Sequence, residues 1–125
     1  MTKAKTTITR KRGPVAEIGL LIYPDCQLAA IYGLTDLFRI ANEWTGDPSR
    51  YIRVSHWQVK ADGVTCSWDS HPGTAHRLSH VITPPSIVMP ERMAPAPVAA
   101  RWLRKQHSGG ATLCSVCAGA FILAE

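Results

Sequence analysis

The sequence predicts an α/β fold in which helices are layered on a mainly parallel sheet, and three stretches carry that prediction. Glu17 to Tyr23 is a nearly continuous apolar run closed by Pro24, the pattern of a strand buried on both faces and therefore central in a sheet. Leu28 to Trp44 repeats apolar residues at spacings of three and four, the pattern of an amphipathic helix. Ala111 to Glu125 begins as a short apolar strand and reaches Cys117 between small residues. It continues as good helix formers, which reads as strand, sharp turn, helix.

The remaining elements follow in order. Residues 1–14 are polar, rich in Thr and Lys, and closed by Gly13-Pro14, so they read as a disordered basic tail ahead of a single domain at 15–125. In the 28–44 helix, Ile31, Leu34, Phe38 and Ala41, with Leu37, Ile40 and Trp44 beside them, form the face assigned to the core; Gly46 and Pro48 end the helix. Tyr51 to Val59 and Val64 to Trp68 are β-branched and aromatic runs joined at Asp62-Gly63. They predict an edge hairpin in which Trp57 and Trp68 pack together. Asp69 to Pro85, with its histidines and prolines, reads as loop, and Ser86 to Pro90 as the next buried strand. A helix is expected from Pro97 to His107, with Pro at its first position, basic residues at its end and Gly109-Gly110 as its stop.

Composition narrows the function classes. The net charge of +5 is local: Lys3, Lys5, Arg10, Lys11 and Arg12 all precede Gly13 with no acid among them. That leaves nine basic against nine acidic residues in the domain. Such an arm offers salt-sensitive contact with phosphates and no sequence reading. No secretion signal or membrane-length apolar run is present, so a cytoplasmic protein with reduced thiols is expected.

Cys117 is the candidate special residue. A turn that presents a nucleophile at a strand tip brings the residues two before and two after it into close contact, and here these are the small Ser115 and Gly119. The start of the following helix would favour thiolate. The bland alternative is a small buried thiol at a strand–helix junction. Cys114 and Cys117 form a C-x-x-C, but the first falls inside the predicted strand, against thioredoxin-like chemistry. Cys66, His71, His76 and His80 match no standard zinc spacing, and neither a metal nor a cofactor is expected.

The segments Ile22 to Leu28, Gly33 with Asp36-Leu-Phe38 and Ala41-Asn42, Ile87 to Pro90, Trp102-Leu103 and Val116 to Glu125 together resemble the ThiJ/PfpI-like superfamily. The resemblance is strongest to the amidotransferase-like N-terminal domains of GlxA-type regulators of the AraC family. It implies a flavodoxin-like α/β/α sandwich, incomplete at the C-terminus, with Cys117 as the elbow cysteine. It also implies a ligand-binding site formed by Cys117, Ala118, Gly119, Ala30 and Glu91.

Three departures from the family pattern point away from catalysis. The enzymes carry a carboxylate where Ala30 stands, Pro-Gly-Gly where Pro90-Glu91-Arg92 stand, and threonine or histidine where Ala118 stands. The family's domain also runs on past the elbow helix, and its regulators add a helix-turn-helix domain. The expectation is therefore a partial, non-catalytic domain that binds a small molecule or a second copy in a homodimer, with DNA reached only through a domain outside these residues. The alternative is a cysteine-dependent hydrolase or hydratase.

Overall fold

Ten residues from Gly13 to Ile22 form the central strand, β1, of a five-stranded sheet. The computed structural model describes residues 12–125; the arm from Lys3 to Lys11 lies outside the described residues. After β1 come α1 (Leu28–Trp44), β2 (Arg50–Val59), β3 (Val64–Asp69), β4 (His80–Thr83), α2 (Pro97–Ser108), β5 (Thr112–Ser115) and α3 (Ala120–Leu123). Single 3-10 turns occupy Pro90–Arg92 and Cys117–Gly119. The strand order is β3-β2-β1-β4-β5, parallel throughout except for the antiparallel β2–β3 hairpin. This is the doubly wound α/β arrangement that the sequence predicts.

The two crossovers leave β1 and β4 in opposite directions, so their helices cover opposite faces of the sheet. Adjacent residues of β2 record this: His56 lies against Tyr32 of α1, whereas Trp57 packs on Trp102 of α2 with ring centroids 5.3 Å apart. Flanked on both edges and covered on both faces, β1 buries Leu20 and Leu21 completely. Ile31 from α1, Val81 from β4, Ala99 and Leu103 from α2 and Ile122 from α3 complete the core around it.

Three sequence expectations are corrected. The fourth strand is His80–Thr83, inside the stretch read as loop, and Ser86 to Pro90 forms no strand. Ser86 makes one isolated bridge to Cys26, while Ile87 and Met89 are exposed. The Val-Ile-Thr run is only three residues long and sits between a histidine and two prolines, so its β character was masked. The apolar run after it lies beyond the end of the sheet.

Trp57 and Trp68 do not pack together. An irregularity between His56 and Trp57 pairs Trp68 with His56, which places the two indoles on opposite faces. On α1, only Ile31 is fully buried; Leu37, Ile40 and Trp44 face outward. At about 100° per residue they lie roughly 120–180° around the helix from Ile31, too far to reach a flat sheet.

The polar loop after β3 is fastened by Arg53, whose side chain is 3% exposed. Its guanidinium donates to both Asp69 oxygens at 3.1 and 2.6 Å, to Glu17 Oε1 at 3.0 Å, and to the carbonyls of Thr74 and Ala75. These five bonds match its five donors. Hydrogen bonding from Arg53 holds the Asp69 carboxyl below its usual range.

Removing one partner of a buried charged cluster strands the others, so Arg53→Met should cost about 3–5 kcal/mol in urea unfolding. Because the folded-state pKa of Asp69 is depressed, its contribution is present above the unfolded value of about 3.9 and is lost as pH falls through the folded value. Acid unfolding of the parent chain should therefore include a loss of stability below about pH 4, and this component should be absent in Arg53→Met.

Candidate functional site

The expected site gathers where the parallel strands end. β5 pairs with β4 up to Thr83 opposite Ser115, and the Val116 amide then donates to the Thr83 carbonyl at 3.0 Å. The next residue, Cys117, has φ of +49°. Among the described residues the only other non-glycine at positive φ is Asp25, at +63°, just past the end of β1. Aspartate tolerates this left-handed region, whereas a cysteine such as Cys117 seldom occupies it. The contacts around Cys117 must therefore impose its conformation.

Those contacts centre on Gly119 and Thr83. A Cβ on Gly119 would collide with the Thr83 carbonyl oxygen and lie 2.6 Å from that of Pro84, so no side chain fits between the turn and β4. The buried Thr83 hydroxyl lies 3.0 Å from the Gly119 carbonyl and 3.2 Å from that of Cys114. Its single proton is shared between them. The next residues of the chain then tie to the β1–α1 loop. The Tyr23 hydroxyl donates to the Pro84 carbonyl at 2.6 Å, the Gln27 amide to Pro85 at 2.7 Å, and Ile87 to Asp25 at 2.8 Å. Burial pushes the Tyr23 hydroxyl up to about 12. It therefore stays protonated as a donor throughout the neutral range.

The residues named from sequence are distributed as follows. Cys117 is exposed, Ala118 half-buried and Gly119 buried, all in one turn. Ala30 lies in the first turn of α1 and is half-buried; Glu91 is exposed on the Pro90–Arg92 turn. No hydrogen bond or ion pair among the described residues joins Glu91 to Cys117, and none reaches the Cys117 sulfur. Because β4 ends at Thr83, the segment directly after it is Pro84-Pro85-Ser86, and Pro90-Glu91-Arg92 follow further along the chain. The helix behind Cys117 runs from Ala120 to Leu123.

All four cysteines are free thiols, with Cys26 buried, Cys114 half-buried, and Cys66 and Cys117 exposed. Among the described residues no three His, Cys, Asp or Glu side chains come together as metal ligands. His71 stacks on Tyr51, and His76 lies 3.3 Å from Asp69. A second polar constellation, at the opposite edge of the sheet, was not singled out from sequence. Thr35 Oγ1 meets His56 Nε2 at 2.8 Å beneath the rings of Tyr32 and Trp68. Its signal was a histidine that follows Ile52 and Val54 on one strand face.

The close approach at Gly119 gives a direct test. Gly119→Ala should destabilise the chain by at least about 2 kcal/mol in chemical unfolding, since the backbone of β4 must move to admit the methyl group. Gly33→Ala, at a helical glycine with open space around its Cα, should instead be neutral or stabilising.

The fold has a counterpart among solved structures. A provisionally assigned transcriptional regulator from Vibrio parahaemolyticus superimposes with a TM-score of 0.58 at 16% identity. The match covers 87% of this chain and 60% of the other, so the chain spans less than two thirds of that protein's length. No family model and no curated protein matches the sequence. No helix among the described residues is long and apolar enough to cross a membrane.

Proposed function

We propose that the chain is the ligand-sensing or oligomerisation part of a GlxA-type, AraC-family transcriptional regulator, built on a ThiJ/PfpI-like domain whose cysteine no longer performs catalysis. The observation that carries the reading is the state of Cys117. It keeps the strained conformation at a strand tip that a cysteine nucleophile uses, yet among the described residues no acid or imidazole is hydrogen-bonded to it. Ala30, where the related enzymes hold a carboxylate, has no group that can exchange a proton with the sulfur. The likeness in fold to a protein assigned as a regulator supports the same reading.

In this reading the turn Cys117-Ala118-Gly119, with Ala30 and Glu91, offers a surface for a small molecule in place of a reacting centre. The outward residues Leu37, Ile40 and Trp44 of α1, the last 86% exposed, support contact with a second copy. DNA would be read by a domain outside these residues, because α1 displays mainly apolar side chains and its Arg39 is paired with Glu43.

The test combines labelling with turnover. Cys26 is buried, and desolvation raises its thiol pKa; desolvation also raises that of Cys66, whose sulfur donates to the Trp68 carbonyl. Iodoacetamide should therefore alkylate Cys117 ahead of Cys66 and Cys26 by mass spectrometry. The same preparation should turn over no isonitrile, ester or peptide above background. Turnover abolished by Cys117→Ala would replace the sensor with a cysteine-dependent hydrolase or hydratase.

A further inference from the structure

A cavity that does not include Cys117 lies towards the opposite edge of the sheet. It has a volume of about 790 Å³ and runs between α1 and the β2–β3 hairpin. Sites for small organic ligands commonly span about 300–1,000 Å³ and combine apolar walls with a few convergent polar groups. Here the walls are the rings of Tyr32 and Trp68, both partly exposed, and the floor is His56, which is 6% exposed.

The polar groups have a definite character. The Thr35 hydroxyl donates its only proton to the Ile31 carbonyl at 2.7 Å, so in its 2.8 Å contact with His56 it must accept. His56 therefore carries its proton on Nε2, and Nδ1 is left as an acceptor with no partner among the described residues. Burial lowers the imidazole pKa, which favours this neutral form. Asp36, on the cavity wall, makes no ion pair among the described residues, whereas Arg39 beside it is paired with Glu43 at 3.5 Å. Two electron-rich ring faces, a bare imidazole nitrogen and an unpaired carboxylate all call for a partner that donates hydrogen bonds and carries positive charge.

We propose that this cleft binds a small aromatic amine: a planar ring bearing an N–H or O–H seated between Tyr32 and Trp68, its ring donor on His56 Nδ1 and its ammonium group on Asp36. This goes beyond the sensor reading, since it places a ligand at the β2–β3 edge and asks nothing of Cys117.

Isothermal titration calorimetry of the full chain tests it, with tryptamine as the cation and indole-3-propionate as an anion of the same ring. Tryptamine should bind saturably at one site, with indole-3-propionate at least about tenfold weaker. Asp36 is exposed on the helix surface, so Asp36→Asn should fold normally and weaken tryptamine binding by at least about tenfold. Trp68→Ala should weaken both ligands, while Asp62→Asn, in the β2–β3 turn, should retain the parent affinity. Absence of saturable tryptamine binding, equal affinity for amine and acid, or an unchanged affinity in Asp36→Asn would each overturn the proposal.

Discussion

The approach of Gly119 to the Thr83–Pro84 backbone is the constraint on which the carboxyl end of the sheet depends. It leaves no room for a side chain, so the turn after β5 must lie flat on the end of β4, and Cys117 is forced to positive φ to make that approach. Thr83 completes the joint from the other side by giving its hydroxyl to the carbonyls of Gly119 and Cys114. Because Pro84 and Pro85 then receive the Tyr23 hydroxyl and the Gln27 amide, the β1–α1 loop, the end of β4 and the cysteine turn form one hydrogen-bonded unit. In a doubly wound sheet the gap between β1 and β4 is where the winding direction changes and where ligands commonly enter. Here its rim is built from proline carbonyls and a protonated tyrosine rather than from a run of free amides.

The rest of the fold is a balance between covered and uncovered faces. β1 is enclosed, and the Arg53 cluster closes the loop that follows the hairpin. α1 is different: it buries one side of its surface on β1 and β2 and presents Leu37, Ile40 and Trp44 outward. Hydrophobic burial favours covering such a stripe. The β2–β3 edge is uncovered in another way, since α1 stops short of the hairpin and leaves the cleft above His56.

How much of this was legible in the sequence depends on which physical signal each element sends. β1, α1 and α2 are long enough for periodicity to speak, and Asp62-Gly63 fixes the hairpin turn, so these elements fall where the pattern puts them. β4 did not declare itself, because a strand of four residues can be set entirely by its neighbours. Val81 is strand because β1 and β5 pair on either side of it, and Thr83 because β5 pairs with it. The face assignment of α1 failed for Leu37, Ile40 and Trp44 because periodicity reports that residues are apolar, not whether the sheet is wide and curved enough to reach them. The pairing of Trp57 with Trp68 failed because one irregularity in the hairpin changes which residues share a face, and no local residue announces it. At the candidate site, the small residues around Cys117 were readable, as was the lack of a carboxylate at Ala30. The segment that meets the turn, Pro84 to Ser86, was not, because its place depended on finding β4.

The joint at Thr83 also has a mechanical meaning. A hinge needs slack, and between the cysteine turn and β4 there is none: the backbones touch, with a shared proton across the contact. The turn is therefore a bracket. Lifting the turn off β4 would break the Thr83 hydroxyl bond to Gly119 and the Val116 amide bond to Thr83, so a group lodged against Cys117 would meet a fixed wall.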